Sequence, residues 1–426
     1  MPAIESDNVV SVSVNGQVYS RWESVSITSE TQNIVRTITL TVTFDQPEGF
    51  KKFTKTFAPG AHVQVSIGDT LVATGYVSKT PVSASADSTS ATVECDSRTV
   101  DLVDCSVAPS GQDIKSLAAN SDWGGHMPGA EFWPVPANTA ITWRHEKIGT
   151  IIAQAIAPYG IRLRIGNDPD GNVKTALDTY KDFDISAEKS PFDLIKDLVQ
   201  EYDLWAFDDE YGDLLICEKG DSSALGYLAF GVQNGIQGNV LTESADFDGS
   251  RLYSAYEVKG QVSGSQGKSG KSLMTGSGKI GSGDLTVTGR YRYKLSKDTK
   301  QMDDAACKKK ADGDVNHEKA LFKKATYSVQ GWRKADGSLW KINEYVKVLD
   351  SRIFDDTVDM IVTRVVYSLS GSGTTTELEV VPPDGMKQDK NSTGKQENKT
   401  KTTWSKKKLP DGGIALVDQE GKTVIV

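Results

Sequence analysis

Histidine and cysteine are both scarce in this chain of 426 residues, at four each. Cys95, Cys105, Cys217 and Cys307 lie far apart with no metal-ligand spacing, so they are read as free thiols, with Cys95 and Cys217 as buried apolar side chains. His62, His126, His145 and His317 form no pair that a helix or strand would bring together, so no zinc site is expected. Positive charge is short as well. A net charge of −9 argues against a general nucleic-acid binder, which needs surplus Lys and Arg against phosphate. No apolar run reaches the roughly eighteen residues of a membrane span. The opening "MPAIESDNVVSVSV" lacks the basic region and apolar core of a signal peptide, which predicts a protein kept in a cytoplasm or released from one by lysis.

What is present is strand pattern. "NVVSVSVNG" and "YSRWESVSIT" alternate, and "VRTITLTVTF" places Ile38, Leu40, Val42 and Phe44 on one face at period two. Turn signals at Asn15-Gly16, Pro47-Glu48-Gly49, Pro59-Gly60 and Gly68-Asp69 separate these runs, with no helical pattern among them. A small barrel or sandwich ending near Cys95 is predicted.

From Asp104 to about Ala245 the pattern becomes α+β. Ile148, Ile151, Ile152, Ala155 and Ile156 fall at helical spacing, and Pro158 with Gly160 stops the helix. A second helix opens at "SPFDLIKDLVQEYDL", with Ser190 as N-cap, Pro191 at the first helical position and Asp193 at the third. Its buried stripe is predicted to be Leu194, Ile195, Leu198, Val199 and Tyr202. "LWAFDDEYGDLLICE" then reads as two strands about a turn at Glu210–Asp213. Gly260–Gly289, rich in Gly, Ser and Lys, reads as a flexible excursion unable to bury a core. "RYRYKL" reads as a strand and Asp303–Lys324 as a polar helix with Ala305, Ala306 and Ala320 as its apolar content, its continuity weakened by Asp312-Gly313-Asp314.

One hairpin is written twice. "HVQV" at His62–Val65 matches "YVKV" at Tyr345–Val348, and "GYVSK" at Gly75–Lys79 matches "MIVTR" at Met360–Arg364. The first offset is 283 and the second 285, the difference falling in a turn, where insertion costs little. Val93 and Cys95 fall on Leu378 and Val380 at the same later offset. Ala73, Gly75 and Val77 share a facing, as do Val358, Met360 and Val362, so two units of common architecture are expected. A trimer of such chains would present six similar units, letting a threefold object meet a sixfold one, although composition does not supply the trimer.

Several stretches imitate active sites. "SQGKSGKS", Ser265–Ser272, has Ser265 where a phosphate-binding loop needs its first glycine, and no helix follows. "NDPDGN", Asn167–Asn172, lacks the later ligands of a calcium loop and reads as a tight turn. Asp208, Asp209, Glu210 and Asp213 read as a solvated hairpin tip rather than paired catalytic carboxylates. Trp123, Phe132, Trp133 and Trp143 read as packing or interface residues rather than a carbohydrate platform. No catalytic, cofactor-binding or metal-binding residue is nominated. At the far end, Met386–Lys408 carries eight lysines against Asp389 and Glu397, a local charge of +6 that leaves −15 for the rest. It reads as a linker, after which "GIALVD" or "KTVIV" is expected to add an edge strand to a neighbour.

The ordered set "NGQVYSRWESVSIT", "PGAHVQVSIGDTLVATGYVSK", "VECDSRTVDLVDCS", "IIAQAIAPYGI", "QGWRKADGSLWKINEYVKV" and "VTRVVYSLSGSGTTTELEVVPPDG" resembles the baseplate hub proteins of Mu-like contractile-tailed phages, from about Val12 to Gly385. The resemblance implies a mainly β chain with an α+β insertion: a first β-barrel hub domain at 1–104, an α+β domain at 105–245, a second barrel at 246–385 and a basic linker and tail at 386–426. It further implies a non-enzymatic homotrimeric ring in the virion tail, assembled in the host cytoplasm, without cofactors. Its partners would be a central spike, the tail tube and other baseplate proteins, with DNA only in transit. Related hubs form the amino-terminal part of type VI secretion spike proteins. A tail-associated peptidoglycan hydrolase or glycan-binding component, using the acids near Asp208 and the aromatics near Trp133, is the competing expectation.

Overall fold

A computed structural model of the chain describes residues 8–425 except 32, 45–46, 86–87, 120–124, 234–235, 262–273, 282–290, 302–303, 355–356, 384–404, 409–413 and 418–422. The chain divides into two compact units: 1–221 with 328–343 and 363–378, and 222–327 with 344–362 and 379–426.

In the first unit, strands β1 (Val10–Val14), β2 (Gln17–Tyr19), β3 (Ser24–Glu30), β4 (Thr37–Phe44), β5 (His62–Ile67), β6 (Thr70–Lys79), β7 (Val82–Ala84) and β8 (Thr89–Ser97) form a ladder in the order β3-β4-β8-β6-β5-β1-β2. β7 lies along β8 beyond the end of β6. The period-two reading holds: Val10, Val12, Val14, Ile38, Leu40, Val63, Val65, Val93 and Cys95 are all buried. Pro47-Glu48-Gly49, read as a turn, instead opens the helix Pro47–Thr56. Proline suits a first helical position, and Phe50, Phe53 and Phe57 follow at helical spacing. Phe53 and Phe57 are buried and their rings meet Trp22 and Tyr19, while Phe44 meets Phe50 and Phe53, so this cluster decides for helix.

The rest of this unit is built on β9 (Thr142–Lys147), the helix Ile148–Ile156, β10 (Leu163–Ile165), β11 (Tyr180–Asp184), the helix Pro191–Val199, β12 (Trp205–Asp208) and β13 (Leu214–Cys217). β13 pairs parallel with β10 and antiparallel with β12. The capping box forms as written: Ser190 Oγ accepts from the Asp193 N–H at 3.2 Å, and Asp193 Oδ2 accepts from the Ser190 N–H at 3.3 Å. Leu194, Ile195, Leu198 and Val199 are buried against Ile148, Ile151, Ile152 and Ile156, with Tyr202 packed at the margin.

The second unit holds β14 (Asp221–Ala229) from Ser222 on, β15 (Val232–Gln233), β16 (Ile236–Gln237), β17 (Val240–Asp246), β18 (Ala255–Gln261), β19 (Met274–Gly281), β20 (Tyr293–Gln301), the helix Asp304–Phe322 and β22 (Glu344–Leu349). The unit boundary falls inside β21 (Lys324–Gln330), β23 (Val358–Ser370) and β24 (Gly373–Val381). The Gly/Ser-rich excursion is not unstructured throughout, because β19 pairs antiparallel with β18. A ladder is made by backbone groups, which Gly and Ser supply as well as any residue. The helix runs unbroken through Gly313, a tolerance that costs about 1 kcal/mol. Its buried stripe is Cys307, Ala311 and Val315 against Tyr256 and Val258, and the side chains of Ala305, Ala306 and Ala320 lie outside the described residues. Near the end, β25 (Ser405–Lys408), β26 (Ile414–Val417) and β27 (Thr423–Ile425) make a small antiparallel sheet. Within "GIALVD" the described residues Ile414–Val417 form β26, which lies between β25 and β27.

The repeated hairpin is repeated in its hydrogen bonding. In the first copy His62 pairs with Tyr76, Val63 with Gly75, Gln64 with Thr74 and Val65 with Ala73. In the second, Tyr345 pairs with Ile361, Val346 with Met360, Lys347 with Asp359 and Val348 with Val358, which are the same four pairs moved by the two offsets. The likeness extends to six strands. Neighbours run β1-β5-β6-β8-β4-β3 in one ladder and β14-β22-β23-β24-β21-β17 in the other. With each set numbered in chain order, both paths read first, fourth, fifth, sixth, third, second. Neither ladder closes on itself among the described residues: the second edge of β3 is taken by β23, with six pairs from Arg364 with Glu30 to Leu369 with Val25.

The two copies differ at Gly75, whose counterpart is Met360. A Cβ on Gly75 would stand 1.9 Å from the Asp96 carbonyl oxygen, which belongs to the backbone of β8 and cannot turn aside. Gly75→Ala is therefore expected to destabilise the protein by about 1–3 kcal/mol or more, read as a lower urea midpoint with an unchanged slope.

Candidate functional site

The acid-rich hairpin between β12 and β13 was the strongest imitation of an active site, and it is not a solvated tip. Asp208, Asp209 and Asp213 are each at most 2% exposed. Every acid in the group meets a cation or a histidine. Asp208 Oδ1 lies 3.3 Å from Arg36 Nη2, Asp209 Oδ2 lies 3.0 Å from Arg164 Nη1, and Glu210 Oε1 lies 2.6 Å from Lys341 Nζ. Asp213 Oδ2 sits 2.7 Å from His126 Nδ1, and its Oδ1 accepts from the Arg162 N–H. The turn itself is shaped by Asp209, whose Oδ1 accepts from the N–H groups of Tyr211 and Asp213 at 2.8 and 2.9 Å.

Arg164 lies on β10 beside the hairpin and Lys341 precedes β22, whereas Arg36 and Arg98 flank strands of the first ladder. Arg36, just before β4, also donates to the Asp208 and Val72 carbonyls, and its own N–H donates to Ser97 Oγ at 2.9 Å. Arg98 is fully buried and donates to the carbonyls of Gly125, Tyr211 and Gly160. Gly212 has a φ of +76°, and a Cβ there would press within 2.8 Å of the Arg98 side chain, so glycine is required on both counts. Thr74 Oγ1 donates to the Glu210 carbonyl at 3.0 Å. This network fastens the β12–β13 hairpin to β4, β6 and β8.

Burial pushes the Asp208 carboxyl up to about 6, with Arg36 pulling the other way. Burial also raises Asp209, helped by the Asp213 charge beside it. Burial alone would raise Glu210, yet Lys341 and Arg36 bring it down to about 2. Three buried carboxylates held by guanidinium groups or a histidine form a fastening. Sequence reasoning missed Arg36, Arg98 and Lys341. Arg36 had a signal: it is a charge standing immediately before an alternating strand.

The other stretches resolve as follows. Asp168 caps the helix Asn172–Asp178, accepting from the Val173 and Lys174 N–H groups at 2.8 and 3.0 Å, so "NDPDGN" is a turn and helix start. Trp143 is buried in the core, and the Trp133 ring lies against Gly149, where a Cβ would come within 2.3 Å of it. Phe132 stacks under Arg162 at 4.3 Å, so these aromatics pack rather than form an open platform. Trp123 and Ser265–Ser272 lie outside the described residues. Cys95, Cys217 and Cys307 are buried thiols.

A second ionisable group lies in the second unit, where Glu243 on β17 meets Arg352 and Asp350. Burial, then the Asp350 carboxyl, raises Glu243 from an ordinary 4.5 to about 7, with Arg352 opposing.

Two measurements test these assignments. Arg36→Met strands Asp208 in the interior and is expected to cost about 3–5 kcal/mol in chemical denaturation, with Arg36→Met/Asp208→Leu recovering much of the loss. Because the folded protein holds the Glu243 proton more tightly than the unfolded chain, stability from this group is full below pH 4.5 and is lost as pH rises through about 7. Glu243→Gln is expected to flatten that decline in a series of melting temperatures against pH.

Comparison with known proteins agrees with this architecture. Residues 9–97 match the family described as Mu phage baseplate assembly protein GpP-like, N-terminal, and residues 304–389 match Mu phage baseplate assembly protein GpP, fourth domain. Baseplate hub protein gp44 of Escherichia phage Mu is 24% identical over 388 residues, covering 89% of this chain and 89% of its own. Among solved structures, the 43 kDa tail protein of prophage MuSo2 from Shewanella oneidensis shares the fold at a TM-score of 0.70 and 20% identity, covering 89% of this chain and 99% of that one. A tail protein from Neisseria meningitidis MC58 does so at 0.63 and 17%, covering 88% and 98%. The chain is thus similar to the baseplate hub proteins of Mu-like phages over most of its length, with stretches at 9–97 and 304–389 that match the N-terminal and fourth domains of Mu baseplate assembly proteins.

Proposed function

We propose that this hub protein is a non-enzymatic homotrimeric ring at the distal end of a contractile tail tube. Each subunit contributes two barrel-like units, one built on β1, β3–β6 and β8 and one built on β14, β17 and β21–β24, with the α+β elements from β9 to β13 between them in the chain. Six such units around one axis form a quasi-sixfold collar that joins a sixfold tube above to a threefold spike below. The observation that carries this reading is the six-strand ladder built twice with one connectivity and one hairpin register. A single chain with two equivalent interfaces is what a threefold assembly needs in order to offer six like surfaces.

The mechanism is mechanical. The ring holds the spike before contraction, transmits force during it and leaves an axial channel for DNA once the spike has gone. Force carried along strands is borne by many backbone hydrogen bonds together, and the fastened hairpin at Asp208–Asp213 stiffens the frame. A chain of net charge −9 suits such a channel, since strong attraction to phosphate would hinder sliding.

Light scattering coupled to size exclusion is expected to give three times the 46.1 kDa chain mass, and electron microscopy with the cognate spike to give closed rings. A stable monomer that forms no ring with spike protein present would sink the proposal.

A further inference from the structure

The cis junction between β3 and β23 contains a prediction about the contact between subunits. In the second ladder, β23 is thirteen residues long: Val358–Ile361 pairs with β22, and Arg364–Leu369 pairs with β3 of the first ladder. In the first ladder the matching stretch is β6 continued by β7, since both run along β8 as β23 runs along β24. At the offset of 285, Arg364 corresponds to Lys79, Ser368 to Ser83 and Leu369 to Ala84. β17 has the rank in the second ladder that β3 has in the first, and both strands are seven residues long.

The two strands have opposite surroundings. β3, covered by β23, alternates buried and half-buried residues along its whole length. β17 pairs with β21 alone among the described strands, and Leu241, Thr242, Ser244 and Asp246 are exposed. Among the described strands β7 pairs with β8 alone, and it is exposed at all three residues, Val82 at 54%. An open, exposed edge is a template for another strand.

Resting on the trimeric reading above, we infer that β17 of one subunit pairs antiparallel with β7 of the next, repeating in trans the junction β3 makes with β23 in cis. Charge agrees. The cis junction carries an ion pair, Arg364 to Glu30 at 2.8 Å. Aligning the two seven-residue strands end to end puts Asp246 in the place of Glu30, opposite Lys79, whose side chain is 71% exposed and reaches Glu94 at 3.3 Å within its own chain. In this register Ser83 of one subunit faces Thr242 of the next, as Ser368 faces Ser26.

Disulfide trapping in the full chain tests the contact. Ser83→Cys/Thr242→Cys, in a Cys105→Ser background and with Ser83→Cys/Ser244→Cys as the variant shifted by two residues, is oxidised and run on a non-reducing gel, with the mass of each variant measured by light scattering. The expected result is conversion of the monomer band into covalent dimer and trimer by the first pair, with neither single-cysteine variant crosslinking. Particles of trimer mass that no pair crosslinks would overturn the β7–β17 contact and leave the ring standing. A covalent trimer from the shifted pair alone would overturn the register and keep the contact. Particles of monomer mass would overturn the ring reading and, with it, this inference.

Discussion

Every strand edge carries a row of backbone N–H and C=O groups that must be paired or left in water, and much of this architecture follows from how that demand is met. Six-strand ladders of this kind have two edges. The chain satisfies one of them internally, by laying Arg364–Leu369 along Val25–Glu30. That pairing leaves β3 flanked by β4 on one edge and β23 on the other. It also makes the long strand β23 serve two neighbours in succession, β22 and then β3.

Hydrogen bonds along the edges set the frame, and a buried ionic network fixes what is inserted into it. Arg36 and Arg98 reach from the first ladder to the β12–β13 hairpin, meeting the Asp208 side chain and several carbonyls. Burying such charges is unfavourable unless they are paired and hydrogen-bonded, and Asp208, Asp209 and Asp213 each have a charged or histidine partner. The same logic separates this cluster from a catalytic pair. Three of its carboxylates are already spent on a guanidinium or a histidine and have at most 2% exposure.

The parts legible in the sequence were those set by local rules. Period-two burial in β1, β4, β5 and β8, the capping box at Ser190 and Asp193, and the helix stop at Gly160 all follow from neighbours within a few residues. The hairpin echo was legible because its facing pattern survives where identity does not. Other elements escaped because distant residues decide them. Pro47-Glu48-Gly49 fits a turn or a helix start equally, and the Phe44, Trp22 and Tyr19 rings choose between them. The strand Met274–Gly281 has no side-chain pattern to read, since backbone pairing with β18 alone makes it a strand.

The sequence by itself determined the strand repeat, the α+β character of the insertion and the resemblance to Mu-like hub proteins, because alternation, capping and motif order are written in consecutive residues. Tertiary structure decided that the acids at Asp208–Asp213 are a buried fastening, because their cations lie as far away as Arg36 and Lys341 in the chain. It also decided that two ladders share one connectivity and that one is paired to the other at β3. Strand neighbours are chosen by edge pairing between segments hundreds of residues apart, and no local pattern records which edge is taken.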